Sequence, residues 1–223
     1  GVDVAVALAV LAALGDIERF PGADRLAAYL GLAPSTRQSG EHCWHGPITK
    51  RGNAKARWLL IQAAQHLASH PGPLGVFFRR IAARKNRNVA VVATARKLAV
   101  VAWHMLKTGE TYRYAQPRPT QDKLARFRVR ATGVKRKTGP RKGTPAALRQ
   151  GVRKRTFPGL PELYASEGLP PPQPPKPAER RVLEQMKVLG FAAQIQKATV
   201  VERAETRHSP AASQAKEASQ NGD

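Results

Sequence analysis

The stretch Ser39 to Ala64, SGEHCWHGPITKRGNAKARWLLIQAA, joins a loop rich in glycine to the start of a long helix. Asn53 precedes the first helical residues and belongs to the residue types that cap helices best. Four cations surround this predicted helix start: Lys50, Arg51, Lys55 and Arg57. Cations at a helix N-terminus oppose the helix dipole unless an anion binds between them. The stretch therefore favours a phosphate-binding site over an ordinary solvated helix end.

Ser39 and Gly40 begin this stretch and raise a second hypothesis. A hydroxyl on a loop, with cations and unpaired backbone N–H groups nearby, suits an anionic phosphate. The ordinary interpretation is a serine in a turn, because Ser and Gly are common turn residues. No histidine or aspartate relay is apparent beside Ser39 in the sequence. Since an unassisted hydroxyl is a poor nucleophile, a reactive Ser39 needs a base, a metal or charge stabilisation from elsewhere.

The composition restricts the partners of the chain. Its 223 residues carry a formal net charge of +23, with a pI near 11.3. A surface this positive attracts polyanions, so nucleic acid is the expected partner and an anionic membrane is the rival. No apolar run looks long enough to span a bilayer and no N-terminal signal pattern is present, so we expect no membrane association.

Two further features of the sequence concern its setting. The single cysteine, Cys43, excludes an internal disulfide framework and fits a reducing cytoplasm. The first residue is Gly1 rather than Met. We therefore expect the chain to be a piece of a longer protein, or a reading frame whose start was misplaced.

Helical periodicity dominates the first half. Apolar residues recur at helical spacing over residues 4–14, 23–30, 54–69, 74–84 and 88–107. Residues 33–52 have little periodic pattern and are predicted to be a long loop, and no stretch alternates as a strand would. We predict an all-α fold, with a compact helical domain whose start at Gly1–Asp3 faintly resembles a helix-hairpin-helix module. Four aromatic residues are predicted to face its core: Phe20, Trp58, Phe77 and Trp103.

The second half changes in character. Residues 1–114 hold 16 basic and 6 acidic residues, whereas residues 115–175 hold 14 and 3 in about half the length. Few apolar residues are available there to stabilise a fold, so we expect a basic, largely disordered C-terminal extension. The predicted organisation has four parts: a helical domain over 1–114, a basic linker or arm rich in Pro and Gly over 115–177, a possible amphipathic helix over 178–207 and a disordered tail over 208–223.

Metal-binding patterns are weak in this sequence. His42, Cys43 and His45 match no usual zinc spacing, and no second pair of ligands follows. Two-metal phosphodiester chemistry needs convergent carboxylates, and the acids of the first half lie on predicted helix ends and turns. We therefore predict neither a metal site nor a cofactor in this chain.

Three segments together resemble the C-terminal domain of transposases of the insertion-sequence-110 type, relatives of the Piv/MooV site-specific DNA invertases. They are ERFPGADRLAAYLGLAPSTRQSG (18–40), GPITKRGNAKARWLLIQAA (46–64) and ATARKLAVVAWHMLKTGETY (93–112). The resemblance covers residues 1 to about 114. Its most specific parts are AAYLGLAP, the Ser-Gly pair, and GPITKRGN leading into the helix.

This resemblance implies a function for the chain. Family members have an N-terminal RuvC-like domain with four acidic residues and Mg²⁺, which is missing from this sequence. Their C-terminal domain supplies a serine that attacks DNA and becomes transiently linked to it, in an oligomer that a noncoding RNA can guide. The matching serine is Ser39. We infer that the basic glycine loop and helix start contact the nucleic acid backbone through Gly40, Lys50, Arg51, Asn53, Lys55 and Arg57.

The resemblance leaves alternatives open. By itself the chain would lack the metal-bearing half, so we expect it to be inactive alone and to act in the bacterial cytoplasm, near the nucleoid, as part of a homo-oligomer. The rival hypothesis is a non-catalytic nucleic-acid-binding module or decayed transposase, binding through the basic stretch Lys123–Arg155. A third is a chain that only assembles with an acidic partner.

Overall fold

The described part of the chain is mostly helical and contains four short strands. The computed structural model describes residues 2–134 and 153–203. The described helices are α1 (Val4–Leu14), α2 (Ala23–Tyr29), α3 (Ala54–Gln65), α4 (Pro73–Arg84), α5 (Arg87–Thr108), α6 (Pro117–Thr132), α7 (Leu160–Ser166), α8 (Pro177–Gln185) and α9 (Leu189–Gln194), with a 3-10 turn at Ile17–Arg19. The described strands are β1 (Pro34–Ser39), β2 (His42–Ile48), β3 (Arg153–Phe157) and β4 (Thr199–Arg203). The helical prediction is confirmed, and the prediction that strands are absent was wrong.

The described residues fall into two compact units. One contains residues 2–134 and 158–198, and the other contains residues 153–157 and 199–203. In the second unit β3 pairs antiparallel with β4, from Arg153 opposite Arg203 to Phe157 opposite Thr199. The domain limits drawn from the sequence stay predictions. The described residues do not include the predicted tail over 208–223, residues 204–207 of the predicted amphipathic helix or residues 135–152 of the basic arm.

Helix α5 is the central element of the first unit. The side chain of Asn86 caps it by accepting from the backbone N–H of Val89 at 2.8 Å, and Gly109 ends it. Helices α2, α3 and α4 pack on it. Its buried residues recur at helical spacing and form one stripe: Ala90, Val91, Thr94, Ala95, Leu98 and Ala99. The helix predicted over residues 88–107 is therefore confirmed.

The same helix bears on the membrane question. Arg87–Thr108 contains an 18-residue window with a mean hydropathy of 1.5, and the helix is long and apolar enough to cross a bilayer by length and composition alone. The sequence prediction that no apolar run reaches this length was therefore wrong. A buried core helix meets the same criteria, and the stripe on α5 packs against Leu26 of α2 and Leu60 of α3 in one core.

The predicted core aromatic residues divide into two groups. Phe20 is buried, and Trp103 packs against the core with its Nε1 donating to the carbonyl of Phe20 at 3.0 Å. Trp58 is 56% exposed, contrary to the prediction. Helix α3 buries Ala56 and Leu60, and Trp58 lies two residues from each, which is about 200° around a helix. In α4 Phe78 is buried and Phe77 only half-buried, under the ammonium of Lys97.

Part of the predicted basic arm is ordered structure. Pro117–Thr132 forms α6, which follows a segment of aromatic residues that packs on α7. The hydroxyl of Tyr164 donates to the carbonyl of Tyr112 at 2.8 Å, and that of Tyr114 donates to Glu179 at 2.6 Å. Burial raises the pKa of Tyr164 to about 12. The prediction of a largely disordered arm was therefore wrong for this part. The aromatic residues and Leu160 supply apolar surface for packing, which a count of charged residues does not reveal.

The predicted amphipathic helix over 178–207 is also corrected. It is divided into α8 and α9 by a turn in which Lys187 has a positive φ of 56°, and β4 follows. Its buried residues are Leu183, Val188 and Ile195, whereas Val182 is exposed. Ile195 packs with Leu160 and Tyr164 of α7. Such local contacts, rather than one continuous helical face, therefore hold this segment in place. The helix-hairpin-helix likeness at the chain start stays a prediction.

Candidate functional site

Residues 33–52, predicted to be a loop, contain an antiparallel β-hairpin. Its pairs run from Pro34 opposite Ile48 at the base to Ser39 opposite His42 at the tip, with an irregularity between Pro34 and Thr36. Both strands of the hairpin are largely exposed: β1 is exposed from Thr36 onward, and β2 is exposed from His42 to Trp44. Because neither face is buried, the sequence carries no alternation of apolar and polar residues. This is why the pattern analysis missed both strands.

The base of the hairpin is held by backbone packed against backbone. Gly31 ends α2 with a φ of 67°, and its carbonyl accepts from the N–H of Lys50 at 3.2 Å. A Cβ on Gly31 would lie 2.2 Å from the carbonyl oxygen of Arg51, and one on Gly52 would lie 1.9 Å from that of Tyr29. Only glycine permits these approaches. The basic glycine loop is therefore a fixed anchor between α2 and α3.

Two predicted nucleic-acid residues make structural contacts here. The backbone N–H of Ala56 donates to the side chain of Asn53 at 2.9 Å, which confirms Asn53 as the cap of α3. The guanidinium of Arg57 donates to the carbonyl of Leu30 at 3.1 Å and stabilises the end of α2. The other predicted cations of this loop, Lys50, Arg51 and Lys55, are exposed. Three cations are thus available to a ligand at the base of the hairpin.

The tip of the hairpin presents Ser39 to solvent. Gly40 and Glu41 form a two-residue turn between Ser39 and His42, with a φ of 58° at Gly40. A positive φ at the first turn residue only is the pattern of a type II′ turn, which joins twisted strands well. Ser39 and Gly40 are both exposed, and no heavy atom lies within 4 Å of the position that a Cβ on Gly40 would take.

The hairpin separates the serine from the cations that the sequence analysis placed beside it. Five residue steps lead from Pro34 to Ser39 along β1, which is roughly 16 Å of strand. The expectation that the serine and the cations lie close together was wrong, because the stretch predicted to be a long loop contains an extended hairpin. Ser39 lies at its tip, and the exposed Lys50 and Arg51 follow its base.

The structure instead places other side chains with Ser39. Residues two apart on a strand share a face, and directly paired residues share it too. One surface, here called the hairpin face, therefore carries Arg37, Ser39, His42 and Trp44. The rings of His42 and Trp44 are stacked, with centroids 5.9 Å apart and planes at 20°. A histidine is thus directly across from Ser39, which the sequence analysis did not recognise.

A signal for this arrangement exists in the sequence. Gly40 and Glu41 match a two-residue hairpin loop with glycine at its first position. Placing a turn there pairs Ser39 with His42 and Arg37 with Trp44 by counting outward. The signal was hidden because the strands lack an apolar face.

Metal donors do not converge in the described part of the chain. Within residues 2–134 and 153–203, no group of three or more His, Cys, Asp or Glu side chains is arranged to hold a metal ion. His42 and the exposed thiol of Cys43 are consecutive strand residues and therefore lie on opposite faces. The donor set does not fit a zinc site or a carboxylate site for Mg²⁺.

Comparison with known proteins points to one family. Residues 1–77 match the family model described as Transposase IS116/IS110/IS902 family. The chain is 37% identical over 117 residues to the transposase for insertion sequence element IS1111A of Coxiella burnetii, covering 51% of this chain and 32% of that protein. It is 33% identical over 119 residues to an uncharacterized 43.6 kDa protein of insertion element IS110 of Streptomyces coelicolor, covering 52% and 29%.

A third relative agrees with these two. A probable family 20 transposase of Pseudomonas aeruginosa is 32% identical over 117 residues, covering 51% of this chain and 35% of that protein. The chain thus spans about a third of the length of these curated relatives. The family model covers residues 1–77, which include the hairpin, and the relatives are similar over about half of this chain.

Proposed function

We propose that this chain is part of a serine-dependent DNA transposase in which the hydroxyl of Ser39 attacks a DNA phosphodiester. The observation that carries the proposal is the position of Ser39, exposed at the tip of a hairpin that projects from a helical core. A strand of DNA reaches this hydroxyl without any change in the core. The family similarity of residues 1–77 supports DNA as the substrate.

The chemistry of the attack is a transesterification. The Oγ of Ser39 forms a bond to phosphorus, one bridging P–O bond of the strand breaks, and the departing sugar oxygen takes up a proton from solvent. The proton of Ser39 needs an acceptor, because a neutral hydroxyl is a weak nucleophile. His42, paired with Ser39 across the hairpin, carries an imidazole that serves this role when it is neutral. The protein remains linked to one strand end until the reverse reaction releases it.

The cations at the hairpin base complete the proposal. Lys50, Arg51 and Lys55 are exposed there, and Gly40 leaves the tip open for close approach of a backbone. B-DNA rises by about 3.4 Å per nucleotide along one strand, so roughly 16 Å of hairpin spans about five nucleotides. One DNA strand can thus meet Ser39 and the basic loop at different phosphates. Asn53 and Arg57 contribute mainly by fixing that loop.

The remaining parts of the reaction are proposed for residues outside this sequence. The family resemblance implies a RuvC-like domain whose four carboxylates hold Mg²⁺, from the same polypeptide or another subunit. When bound there, Mg²⁺ would stabilise charge on the reacting phosphate. The described residues offer no such site, and their part is to present, activate and position Ser39. Homo-oligomeric assembly, a guide RNA and a cytoplasmic location at the nucleoid belong to the same proposal.

The test is substitution of Ser39 in a transposase polypeptide that carries these 223 residues. We expect Ser39→Ala to abolish covalent protein–DNA adducts and strand exchange, because the attacking oxygen is removed. Ser35→Ala is the matched control, since Ser35 lies on the same strand and its hydroxyl donates to the carbonyl of Pro47 at 3.0 Å. If Ser39→Ala forms as much adduct as Ser35→Ala does, Ser39 is not the nucleophile.

A second candidate function is non-catalytic nucleic-acid binding. Helix α6 carries Arg126, Arg128 and Arg130 on exposed positions, and further cations follow it along the chain. Such a module would bind with a steep dependence on salt and without chemistry. The two functions differ in one readout: binding alone leaves no adduct that survives denaturation. A third function, assembly with an acidic partner, would give no salt-dependent binding of DNA.

A further inference from the structure

We propose that the hairpin face is a binding site for an unpaired nucleotide, with Trp44 stacking on its base and Arg37 meeting its phosphate. The inference rests on the proposed function for its setting, because the site lies beside Ser39. It goes further in naming the state of the substrate: a nucleotide that is single-stranded or turned out of a duplex. It also assigns a role to residues that the family resemblance did not include.

The geometry joins an aromatic surface to a cation at fixed spacing. The hairpin register pairs Arg37 with Trp44 and Ser39 with His42. The near-parallel rings of His42 and Trp44 confirm that these two side chains lie on the same face. Directly paired residues on a strand pair have Cβ atoms about 5 Å apart, so the four side chains form a compact row. A nucleotide combines a flat base and a charged phosphate over a similar length.

Exposure is the second observation. Trp44 is 60% exposed although it is among the largest apolar side chains in the chain. The hairpin strands pack mainly against each other, and only its base, through Ile48, joins the helical core. Among the described residues Arg37 forms no ion pair, and the acid near the tip is Glu41 in the turn. An exposed indole beside an unpaired guanidinium on a protein of net charge +23 is complementary to a polyanion that carries aromatic rings.

The ordinary interpretation is that the two rings stabilise the hairpin itself. Aromatic pairs on a sheet do so, but weakly. That interpretation explains the contact between the rings and leaves the exposed remainder of Trp44 without a role. Stacking explains both, and it selects unpaired nucleotides because the bases inside a duplex are already covered on both sides. Loss of one base–aromatic stack typically weakens binding of single strands by about tenfold or more.

The experiment uses the 223-residue chain and fluorescein-labelled oligothymidylate, with a mixed-sequence duplex of equal length as the comparison. Fluorescence anisotropy gives the dissociation constants at about 0.3 M salt, where non-specific attraction by the net charge is reduced. The variants are Trp44→Ala, Trp44→Phe and Arg37→Gln. The matched control is Trp58→Ala, because Trp58 is similarly exposed, at 56%, but lies on α3. Circular dichroism confirms that each variant is folded.

The expected result separates stacking from charge. Trp44→Ala weakens single-strand binding about tenfold with an unchanged salt slope, and changes duplex binding less than about twofold. Trp44→Phe retains most of the affinity, and Trp58→Ala retains all of it. Arg37→Gln lowers the salt slope for single strands by about 0.7, the value for one phosphate contact. Equal losses on single strand and duplex, or no loss with Trp44→Ala, would overturn the proposal.

Two further arms complete the design. Oligouridylate in place of oligothymidylate shows whether the site prefers a nucleotide of RNA or of DNA. Either preference is consistent with stacking on Trp44 and identifies the nucleic acid that supplies the unpaired nucleotide. Ser39→Ala shows whether the two proposals stand separately. If Ser39→Ala binds oligothymidylate normally, adducts that persist in this variant refute the nucleophile alone, and unchanged single-strand binding by Trp44→Ala refutes the nucleotide site alone.

Discussion

The two ends of the hairpin differ in almost every physical respect. At the base, backbone packs on backbone so closely that a Cβ on Gly52 would lie 1.9 Å from the carbonyl oxygen of Tyr29. At the tip, a Cβ on Gly40 would meet no atom within 4 Å. The base therefore serves stability, and the tip is available for chemistry. Substitutions at the base should change the free energy of unfolding, whereas substitutions at the tip should change reaction or binding.

The largest expected effect on stability tests this contrast with one substitution at each end. Gly52→Ala should lower the free energy of unfolding by about 3 kcal/mol or more, because backbone must move apart and φ is 101°. Gly40→Ala should cost only about 1 kcal/mol, the strain of a left-handed alanine in open space. Urea unfolding followed by circular dichroism measures both. Similar losses at the two ends would contradict the contrast.

The next prediction concerns the tip alone. His42→Phe keeps an aromatic ring for stacking and removes the proton acceptor across from Ser39. We expect adduct formation to slow by about 100-fold, the usual lower contribution of a general base. Single-strand affinity and urea stability should remain within about twofold and 0.5 kcal/mol of the original chain. Quenched-flow measurement of the adduct gives the rate. An unchanged rate would mean that the Ser39 proton goes elsewhere.

A smaller effect is expected at the helix that follows the base. Asn53→Ala removes the acceptor of the Ala56 N–H and should cost about 1 kcal/mol of unfolding free energy. Asn53→Asp keeps an acceptor and should retain most of that stability. Urea midpoints compare the two variants. If Asn53 instead acts by touching DNA, Asn53→Ala will weaken duplex binding while leaving the urea midpoint in place.

The smallest effect depends on pH and involves neither end of the hairpin. Burial lowers the pKa of His70 below its ordinary value of 6.5, and its Nδ1 accepts from the N–H of Gly72 at 3.0 Å. The unfolded chain therefore binds the proton more readily than the folded chain. The stabilising contribution is complete above about pH 6.5 and is lost as the pH falls below that value.

The measurement compares urea midpoints at about pH 7.5 and pH 5. His70→Asn keeps an acceptor that does not titrate in this range, so its stability should fall less on acidification than that of the original chain. His66→Asn is the matched control, because His66 is exposed on the preceding turn. An equal fall in all three proteins would place the acid sensitivity outside His70.

Prediction from the sequence succeeded where burial imposes a period. The helical period of α5 and the cap at Asn53 were both predicted, because each depends on neighbours within a few residues. It failed at Trp58, whose side of α3 depends on where the other helices lie. It also failed for the hairpin, in which neither strand face is buried.

By itself, the sequence determined that the protein is basic, that its first half is largely helical, and that Ser39 and the loop Lys50–Asn53 are candidate site residues. Local periodicity and composition carry that information. Only the tertiary structure decided that Ser39 is far along a hairpin from those cations and directly across from His42. The physical reason is that strand pairing is set by contacts between residues on different strands, and a hairpin exposed on both faces shows no alternation of apolar and polar residues in the sequence.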